Sequence, residues 1–157
     1  MKITAQEEYG LRCLLQLARF PHGQVVSVKE IAAKEALSTA YAEKLLRILS
    51  RTGLVHSVRG IKGGYVLNRP ASTVTLGEVV RALGTMETTN HICHSFTGQQ
   101  DACVHFSNCG IRSVWSVVIH RMEQMLDQIH LSDLAHQDEA AMGDTLQRQV
   151  SLRLPRS

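Results

Sequence analysis

Ser27-Val28-Lys29-Glu30-Ile31-Ala32-Ala33-Lys34, then Leu37-Ser38-Thr39-Ala40-Tyr41-Ala42-Glu43-Lys44-Leu45-Leu46-Arg47-Ile48-Leu49, then Leu54-Val55-His56-Ser57-Val58-Arg59-Gly60-Ile61-Lys62-Gly63-Gly64-Tyr65-Val66-Leu67 is the stretch that decides the fold. Ser27 and Glu30 stand at capping-box spacing: the Ser hydroxyl can accept the backbone N–H three residues on, and the Glu can reach back. This predicts a short helix over 28–35. Ser38 or Thr39 can cap a second helix ending before Gly53. Its apolar positions are Ala42, Leu45, Leu46 and Leu49, and its exposed face carries Lys44, Arg47 and Arg51. Two short helices split by a tight turn, the second one basic, form a helix-turn-helix pattern. Residues 54–58 and 65–67 read as paired strands around a glycine-rich turn that carries Arg59 and Lys62. Directly after a helix-turn-helix, such a hairpin reads as a wing rather than an ordinary hairpin with chance charges.

Working outward, residues 4–20 read as a helix. Leu11, Leu14, Leu15 and Ala18 follow the i, i+3, i+4, i+7 pattern, and Glu8, Arg12, Gln16 and Arg19 form a narrow polar stripe. Tyr9, Cys13 and Leu17 lie elsewhere, so the helix should be largely buried, with Cys13 a packed core thiol and Pro21 and Gly23 the stop. Thr75 and Glu78 can cap a helix over 76–83. From Ile111 the residues Ile111, Trp115, Val118, Met122, Met125 and Ile129 are spaced 4, 3, 4, 3, 4, a coiled-coil-like seam. A helix over 111–130 would be about 30 Å long, and it most simply pairs with its copy in a homodimer; packing across its own domain is the alternative. The expected architecture is mainly α with a small β-hairpin wing. A winged helix-turn-helix domain covers 1–83, a cysteine-rich loop 84–110, a dimerisation helix 111–134, and a polar tail of composition suited to disorder 135–157.

At 157 residues, with 44% hydrophobic and 20% charged, the chain is one globular domain's worth. No apolar run approaches the ~18 residues of a membrane span. The opening residues have no apolar stretch for a secretory signal, so a cytoplasmic protein with no membrane partner is expected. Residues 1–70 carry eleven Lys and Arg against five Glu, a balance of +6, while residues 71–157 carry six Arg against nine acids, a balance of −3. A basic first half points to a polyanion partner, and with the winged pattern to double-stranded DNA, a dimer reading a palindromic operator. Ser38, Thr39 and Tyr41 open the second helix, the part that reaches base edges, though Tyr41 is equally placed to be a core aromatic. Lys44 and Arg47 are candidate phosphate contacts, Arg59 a candidate for the narrow minor groove, and Lys62 a backbone contact. Nothing argues for an enzyme: there is no nucleophile–base pair, and residues 60–64 lack the spacing of a phosphate loop.

The four cysteines are Cys13, Cys93, Cys103 and Cys109. In a cytosolic chain they read as metal ligands, sensors or core thiols rather than disulfides. Three of them share one loop with His91, His94 and His105, and loops of such length usually carry function.

Four stretches resemble one family: Met1-Lys2-Ile3-Thr4 with Tyr9-Gly10-Leu11-Arg12, the wing from Ser57 to Tyr65, Val74-Thr75-Leu76-Gly77-Glu78-Val79-Val80, and Cys109-Gly110-Ile111-Arg112. The family is the Rrf-two family of bacterial winged-helix transcription regulators, and the resemblance covers about residues 1–135. It implies that Cys93, Cys103 and Cys109 hold an iron–sulfur cluster whose fourth position varies among members. The histidine of the IscR branch, three residues past the last cysteine, is here Arg112, which cannot ligate, so the pattern is nearer the NsrR and RirA branches. In some members a carboxylate on the first helix of the opposite subunit completes the site, and Glu8 stands at that position. His91, His94 and His105 are local competitors, and Glu8 could instead pair with Arg12 at i+4. Zinc, which accepts three cysteines and a histidine, is the competing metal. The implied function is a cluster-sensing DNA-binding regulator. The alternative is a metal- or cluster-binding protein, a zinc site or cluster carrier, without a regulatory DNA function; such a protein has no need of a basic helix-turn-helix and wing.

Overall fold

The computed structural model describes residues 3–84, 103, 105, 108–136 and 143. Its elements run α1 (Ala5–Ala18), α2 (Val28–Lys34), α3 (Thr39–Arg51), β1 (Val55–Val58), β2 (Gly64–Leu67), a 3-10 turn (Ala71–Thr73), α4 (Leu76–Leu83), α5 (Gly110–Leu126) and α6 (Leu131–His136). The expected mainly-α fold with a hairpin wing is what the chain adopts. No helix among the described residues is long and apolar enough to cross a membrane.

Each helix of the winged head begins where a hydroxyl can catch a free backbone N–H. Thr4 and Glu7 form a full capping box on α1, as Thr75 and Glu78 do on α4. At α2 only half of the expected box is made. Ser27 Oγ accepts the Glu30 N–H at 3.2 Å, while the Glu30 carboxylate turns to Lys34 at 3.1 Å. Ser38, not Thr39, caps α3, its Oγ accepting the Tyr41 N–H at 3.2 Å. In the turn between α2 and α3, Ala36 sits at φ +53°, a left-handed conformation that costs a β-carbon about 1–2 kcal/mol.

The core gathers Leu14 and Leu17 of α1, Ile31 of α2, Leu45, Leu46 and Leu49 of α3, and Val79 and Leu83 of α4. Gly10 brings α1 against α4: a β-carbon there would lie 2.4 Å from Leu83 Cδ2. Cys13 is fully buried, and desolvation pushes its thiol up to about 11, with the charge of Glu35 adding to the shift. That agrees with the core-thiol reading. Gln16 differs from its place on a polar stripe: it is only 4% exposed, and its amide donates to the Glu35 carboxylate. The stripe runs under α2, whose C-cap Glu35 supplies the partner that makes burial tolerable.

The wing is an antiparallel pair with Val55 opposite Leu67 and Ser57 opposite Tyr65. Val26 adds an isolated bridge to Tyr65, with N–H···O bonds of 2.9 and 3.0 Å, which ties the hairpin to the lead into α2.

The helix expected over 111–130 ends at Leu126. Ile129 leaves the seam. It is buried, and its carbonyl accepts the Leu76 N–H at 2.8 Å, while Leu131 N–H donates to the Val74 carbonyl at 2.9 Å. Asp127 pairs at 2.7 Å with Arg81, in the last turn of α4, fixing the turn against that helix. The chain then returns as α6, whose Leu131 is fully buried in the head. Residues 111–134 are therefore two helices, and the head of 1–83 is completed by residues 129–136.

Candidate nucleic-acid interface and thiol site

The start of α2, the outer face of α3, β1 and the wing frame a groove of about 820 Å³. Thr39, Arg47 and Arg59, three of the candidate DNA contacts, line it. Lys29, Arg51 and Ser57 also line it and were not assigned from the sequence. Lys29 sits in the first turn of α2, and the pairing of Val26 with Tyr65 holds that turn beside the wing. Arg47 is exposed and donates to Glu43 at 2.6 Å; this hydrogen bond, with the Glu43 charge behind it, raises the guanidinium further above its usual range. The cation is thus permanently charged, and Glu43 neutralises part of its field.

The remaining DNA candidates lie beside the groove. Lys44 is exposed on α3 and Lys62 on the wing. Ser38 is exposed but occupied as a cap. The Tyr41 ring stands edge-on to Tyr9, centroids 6.2 Å apart, and packs against the core, the second of its two expected roles.

The wing tip is a tight turn. Gly63 N–H donates to the Gly60 carbonyl at 2.9 Å, and Gly60 has φ +115°. A β-carbon on Gly63 would lie 2.5 Å from the Val58 carbonyl oxygen. Both glycines are therefore required by the turn, which drives Ile61 and Lys62 outward.

Glu8 is half-exposed on α1 and accepts from Arg12 Nε at 2.7 Å, the i,i+4 pairing anticipated as its alternative role. Arg12 also approaches Glu35 at 3.9 Å and lies 5.9 Å from the centre of the Tyr9 ring. A continuous set of contacts thus runs from Glu8 through Arg12 to the end of α2 and through Tyr9 to Tyr41 in the first turn of α3.

Cys103 and Cys109 are free, partly exposed thiols. Cys109 caps α5, its Sγ accepting the Arg112 N–H at 3.4 Å. Cys93, His91 and His94 lie outside the described residues; among those described, no group of three or more His, Cys, Asp or Glu could hold a metal ion.

Immediately after Cys109, the α5 helix has no buried residue over its 17 positions. Ile111, Val114, Trp115, Val117, Val118 and Met125 are all exposed on it.

A family model described as an iron-dependent transcriptional regulator, Rrf2, matches residues 3–137. The chain belongs to the Rrf2 family. Among its Rrf2 relatives, protein rrf2 of Nitratidesulfovibrio vulgaris Hildenborough is 35% identical over 134 residues, covering 85% of this chain and 87% of that protein. Among solved structures, CymR (YrzC), described as the global cysteine regulator of B. subtilis, is 31% identical with a TM-score of 0.67, over 88% of this chain and 99% of that one. The T. potens IscR structure is 28% identical with a TM-score of 0.65, over 100% of this chain and 94% of that one. Rrf2 membership makes this chain a DNA-binding transcriptional regulator and not an enzyme.

Proposed function

We propose that this Rrf2 regulator is an iron–sulfur-cluster-dependent homodimer that binds a palindromic operator and responds to iron supply, redox state or nitric oxide. The observation that carries the reading is one of placement. Cys109 is the free thiol that caps α5, Cys103 is a second free, partly exposed thiol six residues before it, and among the described residues α5 keeps large apolar side chains exposed. Cys93, Cys103 and Cys109 would hold the cluster, and Glu8 of the partner subunit is the first choice for the fourth position. The bound cluster supplies redox and ligand-exchange chemistry, most readily at a carboxylate-held corner, since a carboxylate is a harder and weaker ligand than a thiolate.

The chain's own residues supply the rest. Glu8 must leave Arg12 to serve a partner's cluster, and Arg12 is then free to pair more closely with Glu35. Because Arg12 also packs on Tyr9, and Tyr9 on Tyr41, the exchange bears on the start of α3. Val118 and Met122 would join the two α5 helices. Thr39 would meet base edges with Ser38 and Tyr41 beside it, Lys44, Arg47 and Lys62 would meet phosphates, and Arg59 would enter the minor groove.

The test is anaerobic purification with iron and sulfide analysis, absorption and Mössbauer spectra. Iron and sulfide are expected, and serine at Cys93, Cys103 or Cys109 should abolish or strongly reduce loading. Glu8→Ala should keep a cluster with altered spectra and a blunted DNA response. An unchanged spectrum and response in Glu8→Ala, together with a change in a variant of His91, His94 or His105, would move the fourth ligand to histidine. Zinc without iron or sulfide, even after reconstitution, would overturn the sensor reading.

A further inference from the structure

Ile61 stands apart from the other exposed large hydrophobic residues among those described. Ile3 precedes α1, and Ile111, Val114, Trp115, Val117, Val118 and Met125 all lie on α5. Ile61 is the one that lines the groove beside α3 and the wing, and its side chain is fully exposed. Its backbone is held at the tip of the wing by the Gly63-to-Gly60 hydrogen bond, with Arg59 and Lys62 exposed on either side. A turn so dependent on two glycines presents its tip residue in one direction, and an apolar tip between two cations gains nothing from water. Against DNA the flanking cations draw the tip to the phosphates, and the Ile methyl groups then face whatever lies between the two strands.

We infer that Ile61 is a specificity-determining residue: it packs on the floor of the minor groove and selects A·T over G·C pairs beneath the wing. This rests on the DNA-docking mode proposed above and adds to it a reader that carries no charge. The chemistry is that of the minor groove. A·T and T·A present only acceptors there, while G·C adds the guanine N2 amino donor. A methyl group over that amino displaces its water and offers no acceptor, so the donor is left unpaired. The same methyl over an A·T floor buries apolar surface and leaves acceptors whose water can be retained at the edges. Arg59 senses the negative potential of a narrow groove; Ile61 senses the exocyclic amino itself.

The experiment uses the full-length, anaerobically prepared protein and an operator it selects from a randomised pool. Individual A·T pairs are replaced by G·C or by I·C, since inosine lacks the N2 amino group. Wild type should bind the I·C operators as well as the A·T operator. It should bind G·C operators about tenfold more weakly at one or two positions under each wing, the usual scale of a mismatched pair. Ile61→Ala should reduce that G·C penalty to less than about twofold, with the salt slope of binding unchanged because no cation is lost. Arg59→Ala should lower the salt slope and keep an amino-dependent penalty. A G·C penalty that persists in full in Ile61→Ala, or one that I·C reproduces, would overturn the assignment to Ile61. Failure of wild type to select any operator from the pool would instead overturn the docking mode. Circular dichroism on Ile61→Ala separates either result from a misfolded wing.

Discussion

α1 and α5 are both helices with apolar residues around much of their surface, and their surroundings are opposite. Of the 14 residues of α1, six are buried, and even the polar Gln16 is covered. Of the 17 residues of α5, none is. Hydrophobic burial is the main favourable term in folding, so a helix that leaves an isoleucine, a tryptophan and three valines in water is stable only against a second surface. The head gathers its core within one chain, whereas α5 keeps large apolar residues exposed. A repeat of 4, 3, 4, 3 is complementary to itself, which supports the proposed pairing of two α5 helices.

The contrast breaks most sharply at the seam. Val118→Glu with Met122→Glu should convert dimers to monomers by sedimentation, with association weakened by about a thousandfold or more, as expected when charges enter a desolvated interface. The head should unfold at the same denaturant concentration as in wild type. Dimers that survive would place the interface elsewhere, and a destabilised head would mean that α5 packs on its own domain.

Thiol labelling sharpens the same contrast. Burial holds the Cys13 thiol at about 11, so near neutral pH it carries about a hundredfold less thiolate than an ordinary cysteine. Cys103 and Cys109 are partly exposed. In cluster-free native protein, maleimide should modify both while sparing Cys13 until the head unfolds. Equal labelling of Cys13 would show that α1 opens readily.

Within the head, Glu78 caps α4 and reaches Arg69 at 2.8 Å. Its carboxyl is held below the usual range, first by the Thr75 N–H and then by Arg69, against the opposing effect of burial. A lowered native pKa contributes stability above the ordinary carboxylate range, and that contribution is lost as pH falls through the native value. Glu78→Gln should therefore cost about 0.5 kcal/mol at pH 7 by urea unfolding, the scale of a solvent-screened pair, and nothing once acid has protonated the wild-type carboxyl in both states. A deficit that is independent of pH would assign the effect to packing.

The smallest expected changes are on the wing. Arg59→Ala and Lys62→Ala should each flatten the salt dependence of operator binding by about one unit of slope per lost phosphate contact, with thermal stability unchanged. If affinity and slope are unaltered in both, the wing does not touch DNA.

The helix-turn-helix and wing are legible because each local signal agrees with its neighbours: caps, apolar period, turn glycines and charge. What escapes is set by contacts distant in sequence. Gln16 looks solvent-facing until α2 lies over it. Lys29 looks like an ordinary surface cation until Val26 pairs with Tyr65 and swings it to the groove. Ile129 keeps the seam spacing, yet Asp127 and Arg81 stop the helix three residues earlier and turn Ile129 into the head. The two-residue step from Ile129 to Leu131, both buried, is the trace of this in the sequence, a strand-like alternation at the end of a helical period. At the thiol site the spacing of the cysteines is plain in the sequence, whereas the capping of α5 by Cys109 is visible only in three dimensions.

The central claim is that cluster state governs DNA binding. Its most direct test is operator affinity by fluorescence anisotropy on one anaerobic dimer preparation, before and after its cluster is oxidised or nitrosylated, with iron and sulfide quantified in the same samples. An affinity change of about tenfold or more is expected, within the usual range of allosteric coupling, with a much reduced change in Glu8→Ala. Equal affinity in both states, in protein that demonstrably carried and then lost an iron–sulfur cluster, would contradict it.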